Sequence, residues 1–229
     1  MTARVPPDLK ATVATLARLY PAPTVLTDPL HQILWDNIGY LIDDARRAAL
    51  FETFADRVGL TPEAMAAADF ETLFDIARRG GMRPETRVQR WRDIASIVLS
   101  RAGGDLGATL AALPLAKARA LLKAFPTIGD PGADRILLFA GLAPRPSLES
   151  NGVRALARLG YFSEGRDYAA SYRAAIAVLA REGEAEREWL ISAFLALRAH
   201  GRALCRRGVP LCGTCPLDAP CAHATVAAL

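Results

Sequence analysis

The residues with the clearest chemistry are four cysteines, Cys205, Cys212, Cys215 and Cys221, the only ones in the chain. Cysteines spread through a domain suggest disulfides, whereas four packed into one loop suggest a metal. Their spacing, C-x6-C-x2-C-x5-C, offers four thiolates, and both Zn²⁺ and a 4Fe–4S cluster accept tetrahedral sulfur ligation. Zinc sites usually pair two close C-x2-4-C units across a longer loop. Here one close pair is flanked by single cysteines, a dispersion that suits the separate corners of a cubane. A 4Fe–4S cluster is the expectation and Zn the alternative, with a purely structural staple of the loop compatible with either.

Charge is placed unevenly around this loop. The 229 residues carry 28 Lys+Arg against 24 Asp+Glu, a net +4. From Trp189 to Leu217 there is no acid, while Arg198, Arg202, Arg206 and Arg207 supply positive charge. Arg206 and Arg207 fall inside the cysteine loop and are candidate phosphate contacts; part of the remaining charge would balance an anionic cluster. Lysine is scarce, with only Lys10, Lys117 and Lys123, so a mechanism needing a nucleophilic amine has three side chains to choose from. A hydrophobic share of 52% with 23% charged residues is a globular composition. No apolar run approaches a membrane span, and MTARVPPDLK lacks the layout of a signal peptide. A cytoplasmic protein is expected, nucleoid-associated if bacterial, with no membrane partner.

The elements that must position these groups read as helices throughout. Residues 28–42 place Leu30, Leu34, Ile38 and Leu41 on one stripe and Asp36, Tyr40 and Asp43 on another face, behind an Asp28-Pro29 start. Thr61-Pro62 and Asp69 open two short helices, the second closed by Gly80-Gly81. A longer helix over 84–101 turns Val88, Trp91, Ile94, Ala95 and Val98 inward and Arg87, Arg90 and Arg92 elsewhere. Helices follow at about 114–124, 131–140, 151–159, 165–181 and 184–203, and no alternating β pattern appears. The fold class is all-α, with 141–147 (GLAPRPS) the best crossing between lobes.

Residues 114–141 form two amphipathic helices around Pro126-Thr127-Ile128-Gly129-Asp130-Pro131. Gly129 would supply the positive φ or close approach of a tight hairpin, Asp130 the N-cap, and Pro131 the first helical turn. Backbone N–H groups beside a helix N-terminus suit a DNA phosphate. Thr127, Ile128, Gly129 and Asp130 are the DNA-contact candidates there.

A helix–hairpin–helix followed about 75 residues later by this cysteine spacing resembles the endonuclease III/MutY (HhH-GPD) family of DNA repair glycosylases. FPTIGDPGADRILLF looks like the family's L-P-G-V-G-x-K-T-A hairpin, and the cysteine spacing is its iron–sulfur motif. The resemblance, over roughly 24–221, implies a two-lobed all-α fold. Residues 24–143 would form a helical barrel lobe containing the hairpin at 114–141, and 1–23 with 144–229 a cluster lobe with its loop at 205–221. It also implies a glycosylase that binds double-stranded DNA, extrudes a damaged or mispaired base and hydrolyses its N-glycosidic bond. A monomer is expected.

The departures fall on catalytic positions. Bifunctional relatives carry a Schiff-base lysine where this chain has Pro131, so lyase chemistry is not expected. The family's V-D-T-H matches Leu148-Glu149-Ser150-Asn151, followed in register by Arg154 and Arg158. Glu149 thus replaces the aspartate that supports the glycosylic step, and becomes the first catalytic candidate. Its alternative role is a helix-start carboxylate. Asp36 is the second catalytic candidate, and Asn37, Tyr40 and Asn151 are candidates for the base pocket. Against this, Asp36 could pair with an arginine and Tyr40 could simply pack. Thr127 stands where the hairpin's first glycine is expected. The readings from other classes are a non-catalytic iron–sulfur DNA-binding protein and a cluster protein for redox signalling on DNA. No role is expected for His31, His200 or His223, and Trp91 and Trp189 are expected in the core.

Overall fold

The computed structural model describes residues 6–183 and 186–227, with side chains through 224. Every regular element among them is helical. In order they are α1 (Leu9–Leu19), α2 (Pro29–Asn37), α3 (Asp44–Arg57), α4 (Pro62–Ala67), α5 (Phe70–Ala77), α6 (Pro84–Ala102), α7 (Leu106–Ala112), α8 (Leu115–Leu122), α9 (Asp130–Phe139), α10 (Ser150–Leu159), α11 (Tyr168–Glu182), α12 (Arg187–Ala203) and α13 (Ala222–Ala227). Of these, α1, α3, α7 and α13 go beyond the helices located by periodicity, and residues 184 and 185 of the expected 184–203 helix lie outside the described residues. Helix starts follow side-chain chemistry. Asp8, Asp28, Asp43, Thr61, Asp69, Asp105 and Asp167 each accept a backbone N–H of the first turn, a contribution of about 0.5–2 kcal/mol apiece.

The chain divides into two compact units, residues 26–142 and residues 1–25 with 143–229. In the first, α6 is central. Its Trp91, Ile94 and Val98 are fully buried with Phe54, Met65 and Leu73, and the Trp91 ring meets Phe54 edge-on at 4.8 Å. Trp91 Nε1 donates to the Asn37 carbonyl at 3.2 Å, tying α6 to the end of α2.

In the second unit, Leu9, Val13 and Leu16 of α1 share a core with Val153 and Leu156 of α10 and Leu197 of α12. Trp189 is partly buried against this core. α10 and α12 approach so closely at Gly201 that a Cβ there would lie 2.4 Å from the Asn151 carbonyl oxygen. Glycine is required at that contact by space, not by dihedral angle.

Several sequence expectations need correction. The helix over 28–42 stops at Asn37. Tyr40 donates its N–H to the Gly80 carbonyl at 2.8 Å, so Tyr40 and Leu41 lie on a loop and Asp43 caps α3 instead of continuing α2. Leu41 is 79% exposed and left-handed (φ 56°), not part of the core stripe. Arg87 is buried, because its guanidinium reaches the carbonyls of Ala77 at 2.6 Å and Met82 at 2.9 Å.

Candidate active site and cysteine centre

The hairpin joins α8 to α9. Its left-handed residue is Thr127 (φ 66°), while Gly129 has φ −96° and is itself the N-cap of α9. The expected roles of Gly129 and Asp130 are therefore displaced by one or two positions. Thr127 is held in its uncommon conformation by its hydroxyl, which donates to Asn37 Oδ1 at 3.2 Å. Asn37 Nδ2 in turn donates to the carbonyls of Ile33 (2.9 Å) and Pro126 (3.1 Å). Asn37 is 3% exposed, and its whole amide braces the hairpin from α2. Asp130 is the first residue of α9 and not its N-cap. It pairs with Lys123 at 2.8 Å and Arg119 at 3.3 Å, while Arg119 also holds the buried Asp134 at 2.8 Å. Ile128 buries its side chain and donates its N–H to Phe125 O at 3.3 Å. The exposed residues of the turn are Thr127, Gly129 and Asp130.

Asp36, one residue before the end of α2, forms a bidentate pair with Arg135 of α9 at 2.9 and 3.0 Å. Both side chains are mostly covered. Tyr40, by contrast, is 55% exposed. Beside it, across the Tyr40–Gly80 hydrogen bond, lies the Gly80-Gly81 loop, whose clasp to Tyr40 was not anticipated from the sequence. Met82 is 60% exposed and Arg83 is left-handed (φ 59°), just before Pro84 opens α6. Tyr40, Leu41 and Met82 thus present exposed apolar side chains on two backbone-clasped loops. The available signal was three apolar residues beside glycines, which carries little information about tertiary clasping.

In the other unit Glu149 is the N-cap of α10. Its Oε1 accepts the N–H groups of Asn151 (2.9 Å) and Gly152 (3.0 Å), and its Oε2 accepts Asn151 Nδ2 at 2.6 Å. Asn151 is held by the next turn: its Oδ1 accepts from Arg154 at 2.7 Å. Arg154 also donates to Gly201 O at 2.7 Å and Cys205 O at 3.0 Å. A continuous hydrogen-bonded path therefore runs from the Glu149 carboxylate to the backbone of the first cysteine. Burial lowers the pKa of Arg154, and the Cys205 sulfur opposes that shift. Glu149 and Asn151 are brought together; Asp36 and Asn37 belong to the other unit.

All four cysteines line one pocket, together with Arg158, His200 and His223. They form no disulfide. Arg158 faces Cys205 Sγ at 3.7 Å and clasps the carbonyls of Arg206 (2.6 Å) and Arg207 (3.3 Å), leaving both arginine side chains exposed. Burial raises the Cys205 and Cys215 thiols above the usual range, while Arg158 draws Cys205 down and the Leu217 N–H draws Cys215 down. His200, with no role expected, is 2% exposed and lies between Tyr20 and Cys215. Burial lowers its pKa, favouring the neutral imidazole. Among the described residues no three His, Cys, Asp or Glu side chains converge on a single ion.

These features define a class: the chain has the all-helical, helix–hairpin–helix fold of the endonuclease III-like DNA glycosylases. In particular, it is similar to endonuclease III trapped as a covalent intermediate with DNA, at TM-score 0.76 and 18% identity, covering 96% of this chain and 97% of that one. A thermostable thymine-DNA glycosylase matches at TM-score 0.74 and 14% identity, over 96% and 97% of the two chains. The 3-methyladenine DNA glycosylase of H. pylori, bound to 1,N6-ethenoadenine, matches at TM-score 0.63 and 15% identity, over 84% and 95%. At these identities the likeness is one of fold. No family profile matches the sequence, and no curated protein sequence matches it significantly. Among the described residues no helix is long and apolar enough to cross a membrane.

Proposed function

We propose that this chain is a DNA glycosylase of the endonuclease III superfamily that binds duplex DNA, turns out a damaged or mispaired base and hydrolyses its N-glycosidic bond without a Schiff base. The observation that carries this reading is Glu149. At the position matching the family's aspartate, its carboxylate is fixed by three N–H donors at the start of α10. Base departure leaves positive charge on the sugar, which a fixed carboxylate stabilises while it accepts the proton of an attacking water. Oε2 takes one of the three hydrogen bonds and Oε1 two, so Oε2 has more acceptor capacity left for that water.

An amine nucleophile has no support. Pro131 occupies the family's lysine position, and Lys123, the lysine nearest in sequence, is paired with Asp130 at 2.8 Å. Backbone N–H groups of hairpin residues Thr127, Gly129 and Asp130 and the exposed Arg206 and Arg207 side chains would contact phosphates. Tyr40, Leu41 and Met82 suit insertion between base steps, as apolar wedges do in bent DNA. Cys205, Cys212, Cys215 and Cys221 would hold a 4Fe–4S cluster, which when bound cross-links the loop and adds a one-electron redox centre.

The test is single-turnover excision across a panel of lesions and mismatches, with borohydride added in parallel. Wild type should excise at least one base, Glu149→Gln should lose excision while retaining salt-dependent binding, and borohydride should trap nothing. A trapped covalent complex would overturn the hydrolytic mechanism. No excision at enzyme excess would leave only the binding function.

A further inference from the structure

His200 projects from α12 into the space between α1 and the cysteine loop, and both of its ring nitrogens are engaged. Nδ1 lies 3.3 Å from the Tyr20 hydroxyl, and Nε2 lies 3.8 Å from Cys215 Sγ. Tyr20 is the C-cap of α1, and its ring sits 6.1 Å from the imidazole at a tilt of 53°. The three residues join the N-terminal helix, α12 and the loop.

We propose that Tyr20 and His200 form a directional hydrogen-bond relay that places an imidazole N–H on the Cys215 sulfur and tunes the electron density of the cluster bound there. This rests on the cluster reading above. A neutral imidazole has one donor nitrogen and one acceptor. A cluster-bound thiolate has no proton, so at Cys215 it can only accept. Nε2 must then carry the hydrogen, Nδ1 must present its lone pair, and the Tyr20 hydroxyl must be the donor to it. Tyr20 thereby selects the tautomer, a role a metal site ordinarily gives to a partner of its outer shell.

Cys215 also accepts the Leu217 N–H at 3.4 Å. Cys212, by contrast, receives no hydrogen bond from the described residues. The relay therefore acts on one corner of an asymmetric site. Hydrogen bonds to a sulfur withdraw negative charge and favour the reduced cluster, raising its potential.

The test uses the whole chain as purified, with iron and sulfide quantified first. A wild type without them sinks the cluster reading, and this inference with it. In loaded protein, long-range ¹⁵N–¹H correlation on [¹⁵N]histidine should show His200 as the Nε2–H tautomer; the Nδ1–H tautomer overturns the relay. The midpoint potential should fall in His200→Met, which has no donor, and recover in His200→Gln, which returns an N–H near the Nε2 position. Tyr20→Phe should also lower the potential at unchanged iron content. Unchanged potentials in fully loaded variants overturn the proposal. Should His200→Met fail to fold, Tyr20→Phe and the tautomer measurement decide it.

Discussion

Gly201→Ala probes the packing of α12 against Asn151, which holds the Glu149 carboxylate. The added Cβ would lie 2.4 Å from Asn151 O, 2.7 Å from its carbonyl carbon and 2.8 Å from its Cβ, where ordinary contact begins at 3.4 Å. Two backbones must therefore separate by about 1 Å, since neither a flexible side chain nor solvent can give way. Overpacking of this kind costs about 1–3 kcal/mol. At about 2–4 °C per kcal/mol for a protein of this size, the melting temperature should fall by roughly 2–12 °C. Gly208→Ala is the control, because its Cβ would meet nothing within 4 Å. The second readout is chemical. Asn151 supplies two of the three donors that hold Glu149, so a shift of about 1 Å should slow single-turnover excision on the order of 100-fold. Thermal melts by circular dichroism and excision under enzyme excess measure the two effects. A Gly201→Ala protein that melts with the wild type and with Gly208→Ala would refute the close-packing argument. A destabilised variant that excises normally would refute the link from Asn151 to the chemistry.

Asp36→Asn leaves the mostly covered Arg135 with a neutral partner and should lower stability by about 1–3 kcal/mol, discounted for partial exposure. Adding Arg135→Met should restore part of it in denaturant titrations, and a strictly additive double mutant would argue against a coupled pair. Asn37→Ala removes the brace from both Pro126 and Thr127. It should weaken duplex binding and lower the melting temperature together, and a loss of excision alone would instead place Asn37 at the base. Arg57, then Arg78 and Arg79, hold the Asp75 carboxyl down at about 2. Its stabilising effect should be fully present above the ordinary carboxylate pKa near 3.8 and vanish as pH falls through about 2. The difference in melting temperature between wild type and Asp75→Asn should shrink over that window, and a constant difference would contradict the ion-pair assignment.

What could be read from the sequence was local chemistry. Asp28-Pro29 and Thr61-Pro62 start helices because their side chains and fixed φ act within one turn. The clustering of cysteines in 205–221 needs no tertiary information. The misreadings concern positions where distant backbone decides. Leu41, Arg83 and Thr127 are left-handed without being glycine. For Leu41 and Thr127 neighbouring hydrogen bonds to Gly80 and Asn37 supply the support. Gly129 was the natural candidate by residue type, yet the turn places its positive φ two residues earlier. Arg87 reads as a surface residue until the carbonyls of Ala77 and Met82 are brought to it. His200 has no partner at helical spacing because Tyr20 is 180 positions away.

The same distinction bears on how the two halves of the candidate chemistry relate. Asp36 is satisfied by Arg135, so its carboxylate is already spent in joining α2 to α9. Glu149 is also hydrogen-bonded, but to groups that orient it without neutralising it: two backbone N–H donors and an amide. A carboxylate paired with a guanidinium must lose a strong partner before it can serve a developing cation, whereas one held by neutral N–H groups keeps its charge available. Of the two carboxylates, Glu149 therefore fits the proposed hydrolysis better, while Asp36 ties α2 to α9. The path from Glu149 through Asn151 and Arg154 to Cys205 O then gives the cysteine loop a physical bearing on that carboxylate's position, apart from any electron transfer.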